Sequence, residues 1–408
     1  MSRPWRIATL LFFATLLNYF DRQILALVSP VLRVQFSLSA VQYAHLLNSF
    51  LLGYTLLQLV AGLVVDRIGA RTSMILAMLW WSTAGAAAAF ARTPNQLALC
   101  LFLMGVGESA NWPTAVKAVQ QWFPPEKRAV AVGFFNAGSS VGAILAPFIV
   151  TRLTLHYSWR AAFIACGILG LLWVGPWRMI YRLAPQSEPD AGSQRERGLS
   201  FLRDSRAWGV IGARFFADSI WFFYIFWLPD YLTHVQKLSL AAVGSLAWIP
   251  FVAAGLGNFA GGAASGRLVQ RGRLPARARL TVMGISAAVM VAGAAIRFCH
   301  HPGLALALIS TVVFAYSAWA ANVLTLPSDL FPASRVAAVV GMSGTVAGLG
   351  GILTTHVAGL VIDRFSYGPV FAGLGCLPVL AFLCSLLAAR TRHSAPLESP
   401  IARFTMRN

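Results

Sequence analysis

The sequence predicts an all-α polytopic membrane protein, with twelve transmembrane helices in two pseudo-symmetric six-helix bundles. Composition, the length of the apolar runs and the placement of positive charge carry that expectation. Hydrophobic residues are 58% of the 408 and charged residues 11%, with a mean hydropathy of +0.68. A soluble globule of this length does not carry so much apolar side chain. Runs of about 20 apolar residues are long enough to cross the roughly 30 Å hydrocarbon core. Twelve occur, at 7–29, 44–65, 73–91, 96–117, 129–151, 161–183, 207–230, 241–265, 279–297, 303–325, 337–361 and 368–389. The first run is too long and too polar at its centre for a cleaved signal peptide.

The net charge of +19 raises the possibility of nucleic acid, so its distribution decides. With the N-terminus in the cytoplasm, inner segments hold 22 of the 32 Lys and Arg residues and outer segments seven, and Arg22, Lys117 and Arg214 fall within spans. That bias follows the positive-inside rule and places both termini in the cytoplasm. A clustered basic face on a soluble module, which nucleic acid requires, is missing from the sequence. Four of the five cysteines fall in expected spans and Cys299 lies just past the end of one, with no CxxC and no His at metal-ligand spacing, so they read as small apolar residues. No cofactor or metal is expected.

The first span carries Asn18-Tyr19-Phe20-Asp21-Arg22. A charge in hydrocarbon costs roughly 2.5–3.5 kcal/mol on insertion scales, so it marks an interior, functional position. The second span carries Tyr54 and ends in Gly62…Asp66-Arg67…Gly69…Arg71, a tight turn at the inner surface. The third is plain and Ala-rich. The fourth holds Gly105-Val-Gly107-Glu108, where glycine admits a close neighbour, then Asn111-Trp112-Pro113, where a kink is expected. The fifth holds Asn136-Ala-Gly138-Ser139-Ser140-Val-Gly142, a small polar face.

After a sixth span the composition shifts to Pro, Ser, Gly and charge. The expected organisation is a bundle at 1–183, a cytoplasmic linker at 184–206, a second bundle at 207–390 and a cytoplasmic tail at 391–408. The halves match weakly. Phe123-Pro124, Ala129, Gly133 and Phe163 recur 208 residues later as Phe331-Pro332, Ala337, Gly341 and Phe371, and Arg67 recurs 200 later as Arg267. Parallel half-repeats around a central site are a transporter signature. The seventh span runs from Arg214 through Asp218, Trp221, Tyr224 and Trp227 to Pro229. The tenth ends in Asn322, Thr325, Pro327 and Asp329, and the eleventh carries Ser343, Thr345 and His356.

These residues resemble the major facilitator superfamily, and within it the anion:cation symporters that include hexuronate, aldonate and aldarate transporters. The resemblance covers nearly the whole chain. It rests on Asn18–Arg22, the Gly62–Arg71 loop, Gly105–Pro113, Lys117…Trp122–Pro125, Phe135–Ser139 and the segment from Ala213 to Leu232. It implies proton-driven uptake of a small organic anion, such as a sugar acid, by alternating access. Asp21 and Glu108 then stand as proton-coupling carboxylates, Arg22 as their charge partner and Tyr54 as a binding hydroxyl. Much of the family has a substrate-clamping arginine two turns before the fourth-span glutamate, and here that position is Leu101.

Each site residue has a plainer alternative. Burial and a nearby Arg22 or Lys117 pull the proton affinity of Glu108 in opposite directions, which suits proton loading, although a fixed ion pair between helices is the alternative. Asp21 and Arg22 point about 100° apart on a helix and need not pair with each other. Arg22 can grip a carboxylate through two parallel hydrogen bonds. Tyr54, Asn136, Ser139, Ser343 and Thr345 suit a polar cavity or interhelical hydrogen bonds. Tyr224 is the one seventh-span aromatic assigned to substrate; the others suit an interfacial belt. Asp66, Arg67 and Arg71 read as a latch that holds in one access state. His356 is left out of the site.

The expected protein is a monomer of the bacterial inner membrane, and its partners are a small organic anion, protons and the bilayer. It is not an enzyme: no catalytic triad, metal site or phosphate loop is legible. A proton-coupled exporter of an amphipathic metabolite or drug is the alternative, and a solute sensor that moves nothing is a remote one.

Overall fold

Proline and glycine decide where the helices of this protein bend. A computed structural model describes residues 2–123, 125–181, 203–331 and 333–389. The expected tail and residues 184–202 of the linker lie outside them. Helix α1 (Arg3–Leu27) runs into α2 (Ser29–Gln35) through Val28, because Pro30 has no N–H for the carbonyl of Ala26. Helix α3 (Ala40–Ala88) covers the second and third expected spans in two arms. Between them Gly69 takes φ +82°, a left-handed conformation that glycine adopts without strain. Helix α4 (Pro94–Glu108) continues as α5 (Asn111–Trp122) across Ser109 and Ala110. Pro113 cannot donate to the Ser109 carbonyl, so the expected break falls one turn before the proline.

Helices α6 (Pro125–His156) and α7 (Trp159–Ile180) complete the first bundle. The second comprises α8 (Ser205–His234), α9 (Leu240–Leu246) with α10 (Ile249–Gln270), α11 (Pro275–Val291) with a 3₁₀ extension to Phe298, α12 (Pro302–Val323) with α13 (Leu326–Leu330), α14 (Ala333–Arg364) and α15 (Tyr367–Ala389). Among the described residues there is no strand, and nine helical stretches are long and apolar enough to cross a membrane. The two arms of α3 and the α4–α5 rod supply the remaining three of the twelve.

The internal repeat is structural. Helix α6 begins and ends at 125 and 156, α14 at 333 and 364, and α7 and α15 begin at 159 and 367, the same offset of 208. Pairing repeats as well. In the first bundle α1 packs on α6 and α7, and α3 on α4 and α7. In the second, α8 packs on α14 and α15, α10 on α12, and α11 on α15. Large apolar side chains such as Leu172, Phe259, Ile285 and Leu353 point outward, as suits a lipid-facing surface. Of the cysteines expected to be buried, Cys166 and Cys299 are, Cys100 and Cys384 are half-buried, and Cys376 is exposed on that outer surface, where lipid suits a small apolar residue equally well.

The bundles meet along α3–α14, α6–α9 and α1–α8, and the end opposite the termini is sealed. There Arg33 Nη1 donates to Asp230 Oδ2 at 2.7 Å. The Tyr367 hydroxyl donates to the same carboxylate, and His234 stands 3.1 Å from it. Tyr43 Oη donates to the Phe226 carbonyl at 3.0 Å. Asp363 accepts the backbone N–H groups of Ala40 and Val41, at 2.6 and 2.9 Å. Next to these contacts the rings of His45 and His356 stack with centroids 5.6 Å apart. His356 thus joins the seal and not the solute cavity.

Candidate functional site

A cavity of about 940 Å³ lies between the bundles. Its wall runs from Tyr19, Tyr54, Trp221 and Tyr316 at mid-depth to Val65, Gln120 and Leu324, near the helix ends on the termini side. Arg214 and Lys117 lie on this wall, and among the described lining residues there is no carboxylate. Trp221 and Tyr316 stack with centroids 5.3 Å apart and planes 10° from parallel, giving the second bundle a flat aromatic face. Lys117 Nζ donates to the Val65 carbonyl at 2.9 Å, which ties α5 to the end of the first arm of α3.

Behind the wall of the first bundle lies a buried charge cluster. Arg22 Nε donates to Glu108 Oε2 at 3.0 Å, and Glu108 is fully buried. The guanidinium carbon sits 4.3 Å from the centre of the Tyr54 ring, 5.1 Å from Tyr19 and 5.5 Å from Phe50, a cage in which aromatic faces replace water around the cation. Asp21 turns the other way and meets the Cys166 thiol of α7. The adjacent pair therefore faces different helices, as helical geometry requires. Close packing builds this site: a side chain at Gly105 would run into the Phe50 carbonyl, so glycine there lets α4 bring Glu108 against α1 and α3.

The second bundle has a counterpart that sequence reasoning left out of the site. Arg214 Nε and Nη2 donate to Asp218 Oδ2 at 3.1 and 2.8 Å, and Nη1 donates to Ser343 Oγ at 3.2 Å. Tyr316 Oη donates to Asp218 Oδ1 at 3.0 Å. The signal was present: two charges four residues apart inside a span, under the same rule that singled out Arg22.

Tyr54, Asn136, Ser139 and Thr345 line the cavity, and Ser343 reaches it through Arg214. Ser139 Oγ donates to the Asn136 carbonyl at 2.7 Å within its own helix. Arg22 and Glu108 come together beneath Tyr19 and Tyr54, and Asp21 is buried on the Cys166 side of α1; all three lie off the wall. Tyr224 is buried against Phe223 and Phe371, away from the cavity. Trp221, one turn earlier on α8, takes the place expected for it. At the termini end Arg71 stays within its bundle, donating to the Arg178 carbonyl at 3.2 Å, and Arg67 is exposed. The Asp66 side chain lies outside the described residues. No group of three or more His, Cys, Asp or Glu suited to a metal occurs among the described residues.

Comparison with known proteins agrees with this fold. The family model described as Major Facilitator Superfamily matches residues 11–355. The hexuronate transporter of Escherichia coli K12 is 29% identical over 399 residues, covering 93% of this chain and 92% of its own. The galacturonate transporter of Dickeya chrysanthemi is 31% identical over 276 residues, covering 63% and 80%. Among solved structures, a bacterial homologue of the human lysosomal transporter Spinster has a TM-score of 0.78 at 20% identity, covering 96% of this chain and 98% of its own. The D-xylose-proton symporter has 0.76 at 17% identity, covering 94% and 97%.

Proposed function

Because this chain belongs to the major facilitator superfamily, a family of transporters and not of enzymes, we propose that it takes up a small organic anion, a hexuronate or aldonate, by proton symport. The observation that carries this reading is the cavity wall: Arg214 and Lys117 face the space between the bundles and no described carboxylate does. Arg214 is ion-paired with Asp218 behind the wall but still presents N–H donors to the cavity, and a wall of donors and cations without a described carboxylate suits an anion better than a cation. Relatives named for hexuronate, galacturonate and D-galactonate supply the solute class.

Proton coupling rests on Asp21 and Glu108. Both are buried and off the cavity wall, Glu108 bonded to Arg22 behind Tyr54 and Asp21 next to Arg22 in the chain, against Cys166. Protonation of Glu108 frees the Arg22 guanidinium from its partner and changes the field at the solute site. The driving force is the proton gradient. With the termini in the cytoplasm of a bacterial inner membrane, the sealed end faces outward and the described state is inward-open. The Arg67–Arg71 turn then belongs to the latch that closes the opposite end, and the linker, about 184–206, lets the bundles rock. One copy of the chain holds all of this machinery, so a monomer suffices.

The test is uptake into liposomes holding purified protein, outside acidic, with radiolabelled glucuronate, galacturonate and galactonate. Accumulation that a protonophore abolishes is the expected result. Folded protein that accumulates none of them overturns the reading, and efflux driven by the same gradient turns it to export.

A further inference from the structure

Two guanidinium groups lie at mid-depth, and their surroundings differ. Arg22 is enclosed by Tyr19, Phe50 and Tyr54 and bonded to Glu108. A solute carboxylate reaches it only after Tyr54 moves and Glu108 lets go. Arg214 is on the wall. A guanidinium has five N–H donors, and the bonds to Asp218 and Ser343 use three. The two that remain, one on Nη1 and one on Nη2, have no partner among the described residues. They belong to the two nitrogens that a carboxylate can engage together in a bidentate pair.

The surroundings hold that guanidinium in place. Asp218 is buried and gripped by Tyr316, and Ser343 fixes Nη1 from α14. Such pre-organisation lowers the ordering cost of binding. Trp221 follows Arg214 by seven residues, hence on the same face of α8, and its stack with Tyr316 borders the cation. An aromatic plane beside a cation fits a solute with a carboxylate at one end and a C–H-rich ring or chain behind it. Leu101 is fully buried in α4 and off the wall, so its lack of charge does not weaken a carboxylate site on the opposite bundle.

We propose that Arg214, positioned by Asp218 and Ser343, is the carboxylate-binding residue of the cavity. The two bundles then divide the work, the second holding the acid group of the solute and the first, through Arg22 and Glu108, handling the proton. This rests on the anion-uptake reading and adds which bundle reads the acid. It orients the solute with its carboxylate on α8 and its hydroxyls toward Tyr54 and Asn136.

The experiment is solute exchange in liposomes at equal pH on both sides, which needs no proton gradient. Labelled galacturonate is the probe, with galactonate and its neutral counterpart galactitol as competitors. In the unaltered protein galactonate competes and galactitol does not. Arg214→Gln is expected to raise the half-saturating galacturonate concentration about ten-fold or more, more than it lowers the maximal rate, as loss of a charged hydrogen-bonding partner does. It is also expected to erase the preference for galactonate over galactitol, a change that a merely structural role does not produce. Arg214→Lys keeps the charge without the planar fork and is expected to recover part of the affinity. It also decides the case if Arg214→Gln does not fold. Unchanged half-saturation and unchanged acid preference in a folded variant overturn the assignment while leaving anion uptake standing. Absence of acid exchange by the unaltered protein removes both.

Discussion

The carboxylate of Asp363 accepts the Ala40 N–H at 2.6 Å, so a side chain of the second bundle completes the first turn of a helix in the first. Four N–H groups at a helix start lack intrahelical partners, and a carboxylate there gains from both the hydrogen bonds and the helix dipole. Asp363→Ala is expected to weaken the sealed end by about 1 kcal/mol, a roughly five-fold shift toward the open far end. Spin labels at Val34→Cys and Val235→Cys, both exposed there, measure it. An unchanged distance distribution would show that the cap is not part of the seal.

Arg33 and Asp230 form the second tie, and Asp230 is fully buried. Removing one partner leaves an uncompensated charge, so Arg33→Gln or Asp230→Asn alone is expected to lower stability in this state by roughly 3 kcal/mol. The double variant is expected to lose less than the sum. Thermal unfolding of the four proteins closes the cycle, and strict additivity would count against a working pair.

Glu108→Gln keeps the size of the side chain and removes its capacity to exchange a proton. Solute exchange is expected to persist while uphill accumulation in a pH gradient disappears. Parallel exchange and accumulation assays on one preparation separate the two. Normal accumulation by this variant would take Glu108 out of the coupling mechanism.

Tyr54 has two surfaces, a ring over Arg22 at 4.3 Å and an edge on the cavity. Tyr54→Phe leaves the ring and removes the hydroxyl. Loss of one neutral hydrogen bond, about 1 kcal/mol, is expected to raise half-saturation roughly five-fold with coupling intact. If half-saturation stays put, the hydroxyl is not a solute contact.

Most of the fold was legible because lipid imposes a simple rule. Apolar length gave the spans, and the weak match of Phe123 and Phe163 to Phe331 and Phe371 proved to be the register of whole helices. The positions where the chain bends were harder. Pro113 acts through the carbonyl it fails to serve, one turn upstream, and Gly69 acts through a backbone angle that hydropathy does not encode. In the site, charge inside a span identified Arg22 and Glu108, and their ion pair confirms that they meet. Exposure was not legible. Arg22 lies under aromatic rings and Arg214 does not, and sequence spacing is silent on which arginine faces water. Tyr224 was misplaced because a step of three residues turns an α-helix by about 60° from its starting face. That turn carries Tyr224 into the bundle and leaves Trp221 on the wall. The far-end seal went unread because Asp230 and Asp363 find their partners in the other bundle, 197 and 323 residues away in sequence.

The repeat gives this molecule the same far-end corner twice, built with different chemistry. Ser37 and Lys237 both turn the chain with positive φ, 51° and 57°, and Ser39 and Ser239 both cap the helix that follows. At the first corner Asp363 closes over those helix N–H groups from α14. At the second, the equivalent position on α6, 208 residues earlier, is Leu155, an exposed aliphatic side chain that can accept no hydrogen bond. One edge of the seal, α3–α14, is thus closed by polar bonds that water can replace, and the matching corner at α6–α9 lacks that cap. The halves match in shape, but the two edges of the seal are held by different chemistry.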